Sequence, residues 1–184
     1  IVETIGITET AAPLLSNPLD PNLHKIGSTG IPFGNKVRVA NFDGKLVPSG
    51  EENEIQVKGE NVMKEYLKNP KATLEAFTDD GWYRTGDIGL MDSDGYVFIT
   101  GRIKELIIKG GENIAPREID DVIYKHESVL EAAAFPLPDI HYGQKVAVAI
   151  TTRPGKTVTE LELRTLCINA MGDFRAPSDF FFIK

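Results

Sequence analysis

Asp87 and Arg102 flank the stretch "IGLMDSDGYVFITG", and what lies between them gives the two residues their chemical interest. Asp94-Gly95 is a strong two-residue hairpin signal set between apolar runs. In that register Ser93 faces Tyr96, Leu90 faces Ile99 and Asp87 faces Arg102. A carboxylate and a guanidinium then meet at the open end of the hairpin. The carboxylate can accept several hydrogen bonds, and the planar, permanently charged guanidinium suits ribose and phosphate oxygens. The same juxtaposition also describes a plain cross-strand ion pair. Directly afterwards come Lys104 and then Lys109-Gly110-Gly111. If the two glycines form a second tight turn, Lys109 pairs with Glu112, and the bare backbone can approach a ligand closely. Near the start of the chain, Thr8-Glu9 sets a hydroxyl beside a carboxylate, which reads equally well as an N-cap and a first-turn acid.

These residues need elements to hold them. "KVRVAN" followed by Asp43-Gly44 reads as a strand entering a tight turn, and "NEIQVKG" alternates as a half-buried strand does. Asn69-Pro70 predicts an N-cap and first helical position for a short helix running to Phe77. "GSTGIPFG", residues 27 to 34, reads as a turn leading into a strand. Further on, Pro116 opens a helix with Ile119, Val122, Ile123 and His126 on one face. "VLEAAAF" and "QKVAVAIT" read as strands. Thr159 and Glu162 form a capping box for a helix whose buried stripe is Leu163, Leu166, Cys167 and Ala170. The expected fold class is α+β in two parts: a β-barrel-like region from about residue 25 to Arg102, then a small α+β unit. No long linker separates them at Ile103-Lys104, which favours a tight hinge.

Composition narrows the function. With 41% hydrophobic and 26% charged residues the 184-residue chain reads as an ordinary soluble globular protein. A net charge of −7 argues against a general nucleic-acid or anionic-membrane binder, since both need a basic surface. The single Cys167 excludes an internal disulfide, and three scattered His give no zinc-type cluster, so a reducing, cytoplasmic setting is expected. No apolar run approaches the ~20 residues that span a bilayer. The chain opens Ile1-Val2-Glu3 without a Met, which reads as a piece of something larger.

Four segments together resemble the adenylate-forming superfamily, specifically its acyl-CoA synthetase branch. They are "IGITET", "NEIQVKGENVMKEYLKNP", "GWYRTGDIG" and "GRIKELIIKGGENIAPREID", in the order that superfamily shows them. The resemblance covers nearly the whole chain. It implies a two-step reaction in which a carboxylic acid and ATP give an acyl-adenylate and pyrophosphate, and CoA then displaces AMP. It implies that residues 1–102 close a large AMP-binding domain, and that residues 103–184 form most of a mobile lid. Asp87 would take both ribose hydroxyls, and Arg102 would contact the nucleotide. Thr8 would lie near the α-phosphate and Glu9 would support Mg²⁺. Lys104 would be the hinge residue, and Lys109, Gly110 and Gly111 would face CoA. Ile5 stands where relatives often have a Tyr for the adenine, and Asn53 where they usually have Gly. The phosphate-binding loop is expected before residue 1 and the adenylation lysine after Lys184, so the piece is expected to be inactive alone. A carrier-protein-loading adenylation domain or fatty-acid AMP ligase is the alternative of the same chemistry, and a non-catalytic binding module the alternative of another class. The identity of the acid and the oligomeric state stay open.

Overall fold

In the computed structural model, which describes residues 2–11 and 13–183, the first half forms two open antiparallel sheets; the strand signals account for the second, whereas the first arises within residues 4–32, where the sequence offered only turns. The first consists of β1 (Thr4–Gly6), β2 (Pro13–Ser16) and β3 (Ile31–Pro32), in that order. The second is a meander of β4 (Lys36–Ala40), β5 (Asn53–Lys58), β6 (Tyr83–Met91) and β7 (Val97–Arg102). Between β5 and β6 runs α1 (Pro70–Ala76), capped by the Asn69 side chain, which accepts from the Ala72 N–H at 3.1 Å. Leu14 and Leu15 of β2 pack with Ile55, Val57, Tyr83 and Val97 into one core. The sheets are linked by a bridge between Gly30 and Val97, within the "GSTGIPFG" stretch. A side chain at Gly30 would place its Cβ 2.0 Å from the Ser16 carbonyl carbon, so the approach requires glycine. The α+β class therefore holds, but the described residues form no closed barrel; a single bridge, not continuous strand pairing, joins the two sheets.

Contacts divide the chain into Ile1–Ile103 and Lys104–Lys184. The second unit begins with the hairpin β8 (Ile107–Lys109) and β9 (Glu112–Ile114), followed by α2 (Pro116–Ile123). Then come β10 (Val129–Asp139), β11 (Gly143–Thr152), α3 (Glu160–Met171) and β12 (Asp179–Phe182). The sheet runs β10-β11-β8-β9, with β12 parallel to β11. Both helices contribute to one core: Ile119 and Ile123 from α2, Leu163 and Cys167 from α3, and Val146, Val148 and Ile150 from β11. Thr159 and Glu162 form the reciprocal capping box. Two helix-face expectations need correcting. α2 stops at Ile123, so His126 lies in the next turn, where its Nδ1 accepts from the Ser128 N–H at 3.2 Å. On α3 the buried positions follow i, i+4 spacing through Leu163 and Cys167, with Met171 packed against the core, and Ala170 is exposed.

α2 also covers the outer edge of β10. Asp120 Oδ1 accepts from the Ala134 N–H at 2.7 Å, occupying a donor that has no neighbouring strand on that side. Burial, only partly opposed by this hydrogen bond, pushes the Asp120 carboxyl up to about 6. A carboxyl whose folded-state pKa is raised binds its proton more tightly folded than unfolded. Its contribution is present below the unfolded value near 3.8 and is lost as pH rises through about 6. Asp120→Asn keeps an acceptor for Ala134 without an ionisation step. The variant should gain about 1 kcal/mol over the parent at pH 8 relative to pH 4.5, after discounting for the half-exposed side chain. Urea unfolding at the two pH values measures this; parallel pH dependences would show that the Asp120 charge does not matter.

Candidate functional site

The β6–β7 hairpin brings Asp87 and Arg102 together, but by a different route from the one the turn residues imply. Asp92 Oδ1 accepts from the N–H groups of Asp94 and Tyr96, both at 2.9 Å. That side-chain turn closes the hairpin around three residues, Ser93-Asp94-Gly95, with Gly95 at φ +84°. Leu90 consequently faces Phe98, and Ile99 faces Gly89, not Leu90. The ladder then shifts between Ile88 and Gly89: Ile88 faces Gly101, leaving Thr100 as the extra residue of β7. Two displacements cancel, and Asp87 pairs with Arg102 after all. Gly89 permits the shift, since a Cβ there would lie 2.3 Å from the Phe98 carbonyl oxygen and 2.8 Å from Ile55 Cδ1.

On its other side, β6 bulges against β5. Gln56 faces Arg84 and Glu54 faces Ile88, so Thr85, Gly86 and Asp87 together stand opposite Ile55. Gly86 takes the left-handed conformation, φ +74°. The result is a carboxylate that is 4% exposed, its Oδ1 accepting from Arg102 Nε at 2.9 Å. The Arg102 side chain is 59% exposed. A desolvated anion is thus held in one orientation under a guanidinium that faces water.

The same strand reaches a second acid. Tyr83, four residues before Asp87 on β6, is buried, and its hydroxyl lies 3.3 Å from that of Tyr66. Tyr66 in turn donates to Glu9 Oε1 at 2.9 Å. Burial, reinforced by Tyr66, raises the Tyr83 phenol far above its ordinary range. The bond to Tyr83 lowers the Tyr66 phenol, but burial and the neighbouring Glu9 outweigh it, and the net direction is up. Both phenols therefore stay protonated at neutral pH. Glu9 itself sits in a single 3₁₀ turn, Thr8–Thr10, half-buried, with its carbonyl accepting from the Met63 N–H at 2.7 Å. The N-cap reading of Thr8 does not hold: Ile7 precedes the turn, and no side chain caps it. Thr8 is exposed.

In the second unit, Lys104 is exposed within the 3₁₀ turn Ile103–Glu105, where the two units divide. Gly110 and Gly111 form the tight turn at φ +57° and +88°, and Lys109 does face Glu112 across it. The Lys109–Glu112 ion pair is nevertheless not made. Lys109 is only 7% exposed; its ammonium donates to the Phe174 carbonyl and lies 4.8 Å from the Phe174 ring centroid and 5.7 Å from that of Tyr142. Glu112 pairs with Arg175 at 3.1 Å. The two rings meet edge-on at 5.6 Å, and a Cβ on Gly110 would touch both. At this turn the Lys109 charge is tucked beneath backbone and aromatic ring, while Glu112 stays exposed beside them.

Sequence reasoning assigned no role to Tyr66, Thr85, Tyr142 or Phe174. Tyr66 and Thr85 lie inside segments that carry the family resemblance, but nothing in their spacing says which side chain they serve. Tyr142 and Phe174 are far from Lys109 in sequence. Among the described residues no group of three or more His, Cys, Asp or Glu could hold a metal ion by itself. No helix among them is long and apolar enough to cross a membrane.

Residues 1–67 match the family described as AMP-binding enzyme, and residues 118–184 match the AMP-binding enzyme C-terminal domain. The sulfoacetate–CoA ligase of Cupriavidus necator is 52% identical over all of the chain and 36% of its own length. The oxalate–CoA ligase of Arabidopsis thaliana is 39% identical over 98% of the chain and 35% of its own. ATP-bound MatB from Rhodopseudomonas palustris, 35% identical, superposes over the whole chain and 36% of its own with a TM-score of 0.93; the apo form of MatB gives 0.72. The chain thus spans about a third of the length of these relatives.

Proposed function

The chain belongs to the AMP-binding, adenylate-forming enzymes, and on that premise we propose that it supplies the ribose-binding strand and the lid of an ATP-dependent acid–CoA ligase. In the first step an acid carboxylate attacks the α-phosphate of ATP and expels pyrophosphate. In the second, CoA thiolate attacks the acyl carbon and AMP leaves. The observation that carries this reading is the buried Asp87, oriented by Arg102 on the strand that also buttresses Glu9.

Asp87 holds the ribose hydroxyls, and a carboxylate already stripped of water loses little hydration on doing so. Arg102, facing solvent, meets the nucleotide's anionic oxygens. Thr8, exposed in its turn, would offer its hydroxyl to the α-phosphate. Glu9 fits a magnesium ion: Mg²⁺ takes one or two carboxylates and fills the rest of its octahedron with phosphate oxygens and water, so a lone, tyrosine-anchored carboxylate is the donor set expected. When bound, the ion supplies charge neutralisation at the phosphates. Ile5, half-buried in β1, offers the adenine an aliphatic contact without aromatic stacking.

Lys104 is the swivel residue between the two steps, and the Gly110–Gly111 turn, flanked by Tyr142 and Phe174, presents backbone to the thiol carrier. That MatB scores 0.93 with ATP and 0.72 in its apo form supports a region able to take more than one shape in that relative. Sulfoacetate and oxalate each carry a second anionic group, which supports a short acid of that kind as substrate here. The test is thioester formation by the protein at its natural length, with ATP, Mg²⁺ and CoA. Sulfoacetate, oxalate or malonate should exceed acetate and octanoate by at least ~10-fold in kcat/KM. Equal use of the uncharged-tail acids would remove the substrate assignment, and transfer to a carrier protein without CoA turnover would remove the ligase assignment.

A further inference from the structure

We propose that Thr85 is a positioning residue for nucleotide binding, setting the orientation of Asp87 through its hydroxyl. The inference rests on the ribose role given to Asp87 above. Where three residues of β6 stand opposite Ile55 alone, the regular ladder cannot serve every backbone group. Thr85 takes up two of them. Its Oγ1 donates to the Ile55 carbonyl at 2.7 Å and accepts from the Asp87 N–H at 3.0 Å. One hydroxyl thereby ties the neighbouring strand to the backbone nitrogen of the residue that carries the carboxylate. A hydroxyl is the smallest group able to do this, because it donates and accepts at one atom. The β-branch restricts its χ1.

The far side of the same segment is braced in a similar way. Thr100, the extra residue of β7, donates through Oγ1 to the Ile88 carbonyl at 3.3 Å. Asp87 and Ile88 thus sit between two bulges, each closed by a threonine hydroxyl. Gly86 at φ +74° makes the reversal between Thr85 and Asp87, and its Cβ position meets nothing within 4 Å. Steric contact at Gly86 does not hold this backbone; between the flanking ladder pairs, the hydroxyl bridge is the tie within the bulge. Removing the bridge takes the Thr85 hydrogen bond from the Asp87 backbone, and the carboxylate should then hold its orientation less closely, though Asp87 itself is unchanged.

Thr85→Val keeps the shape and removes both hydrogen bonds; Thr85→Ser keeps the hydroxyl. Two readouts on the protein at its natural length separate this inference from the ribose assignment. The first needs no nucleotide: the NMR signal of the Arg102 Nε–H, which reports its bond to the Asp87 carboxylate. It should shift or broaden in Thr85→Val and return in Thr85→Ser. An unchanged signal in Thr85→Val overturns the positioning role. The second is the affinity ratio of ATP to 2′,3′-dideoxy-ATP. Thr85→Val should lose about 10-fold for ATP and less than 2-fold for the dideoxy nucleotide, with Thr85→Ser within 2-fold of the parent for both. Equal losses for the two nucleotides overturn the functional part of the inference and leave Thr85 merely structural. If Asp87→Asn also binds both nucleotides alike while the NMR signal behaves as stated, Thr85 still positions Asp87, and the ribose assignment is what falls.

Discussion

Asp87→Ala should weaken ATP and AMP binding on the order of 100-fold while the protein stays folded. Two charge-assisted hydrogen bonds from ribose hydroxyls to a buried carboxylate are worth at least ~1.5 kcal/mol each, and their sum corresponds to that factor. The competing explanation is that Asp87 serves only to pair with Arg102. An ion pair with one partner 59% exposed contributes no more than ~1 kcal/mol to stability and gives no reason for any change in nucleotide affinity. The magnitude therefore decides between the two. Calorimetric titration with AMP and ATP measures it, and dissociation constants within about 2-fold of the parent would leave Asp87 with the structural role alone. Arg102→Ala should weaken AMP less than Asp87→Ala does, because a guanidinium that is 59% exposed would meet a nucleotide in water, where each contact replaces a hydrated one.

Gly89→Ala should cost about 3 kcal/mol or more of unfolding free energy, the largest stability effect expected from adding one methyl group in the first unit's second sheet. The new Cβ meets the Phe98 carbonyl oxygen at 2.3 Å, and backbone cannot swing aside as a flexible side chain can. Relief requires the β6–β7 ladder to give up the register shift at Ile88/Gly89. Asp87 would then no longer face Arg102, so nucleotide affinity should fall together with stability. Gly95→Ala provides the contrast. It sits at φ +84° with nothing within 4 Å, so only the left-handed backbone penalty of ~1–2 kcal/mol applies. Denaturant unfolding of the two variants gives the comparison, and a Gly89→Ala loss no larger than that of Gly95→Ala would show that β6 and β7 adjust to the methyl.

How far the site was legible in the sequence is clearest at the hairpin. Asp94-Gly95 marked the turn, and the pairing it implied for Asp87 and Arg102 holds only because two displacements cancel, while the intermediate pairs differ. Turn propensity counts only residues near the tip, whereas the Asp92 side chain enlarges the loop and Gly89 permits a compensating bulge further down. Local rules worked where the partners are local. The Asn69 cap, the Thr159–Glu162 box and the Gly110–Gly111 turn all formed as their residues imply. They failed where the partner is distant in sequence. Lys109 was expected to pair with Glu112 across its own turn and instead buries its charge against Phe174 and Tyr142. Glu9 showed no sign of Tyr66, because a hydrogen bond between residues 57 positions apart leaves no periodicity to read.

By itself the sequence determined the α+β class, the elements from β4 onward, the Asn69 and Thr159 caps, the Gly110–Gly111 turn, and the four segments that identify the family. Each depends on residues within a few positions of one another, where backbone sterics and short-range hydrogen bonds dominate. Only the tertiary structure decided that the sheets stay open, that Asp87 is desolvated while Arg102 faces water, and that Thr85 and Tyr66 stand behind the two acids. Burial and long-range hydrogen bonding arise when distant segments exclude water together, and no short window of sequence contains both sides of such a contact.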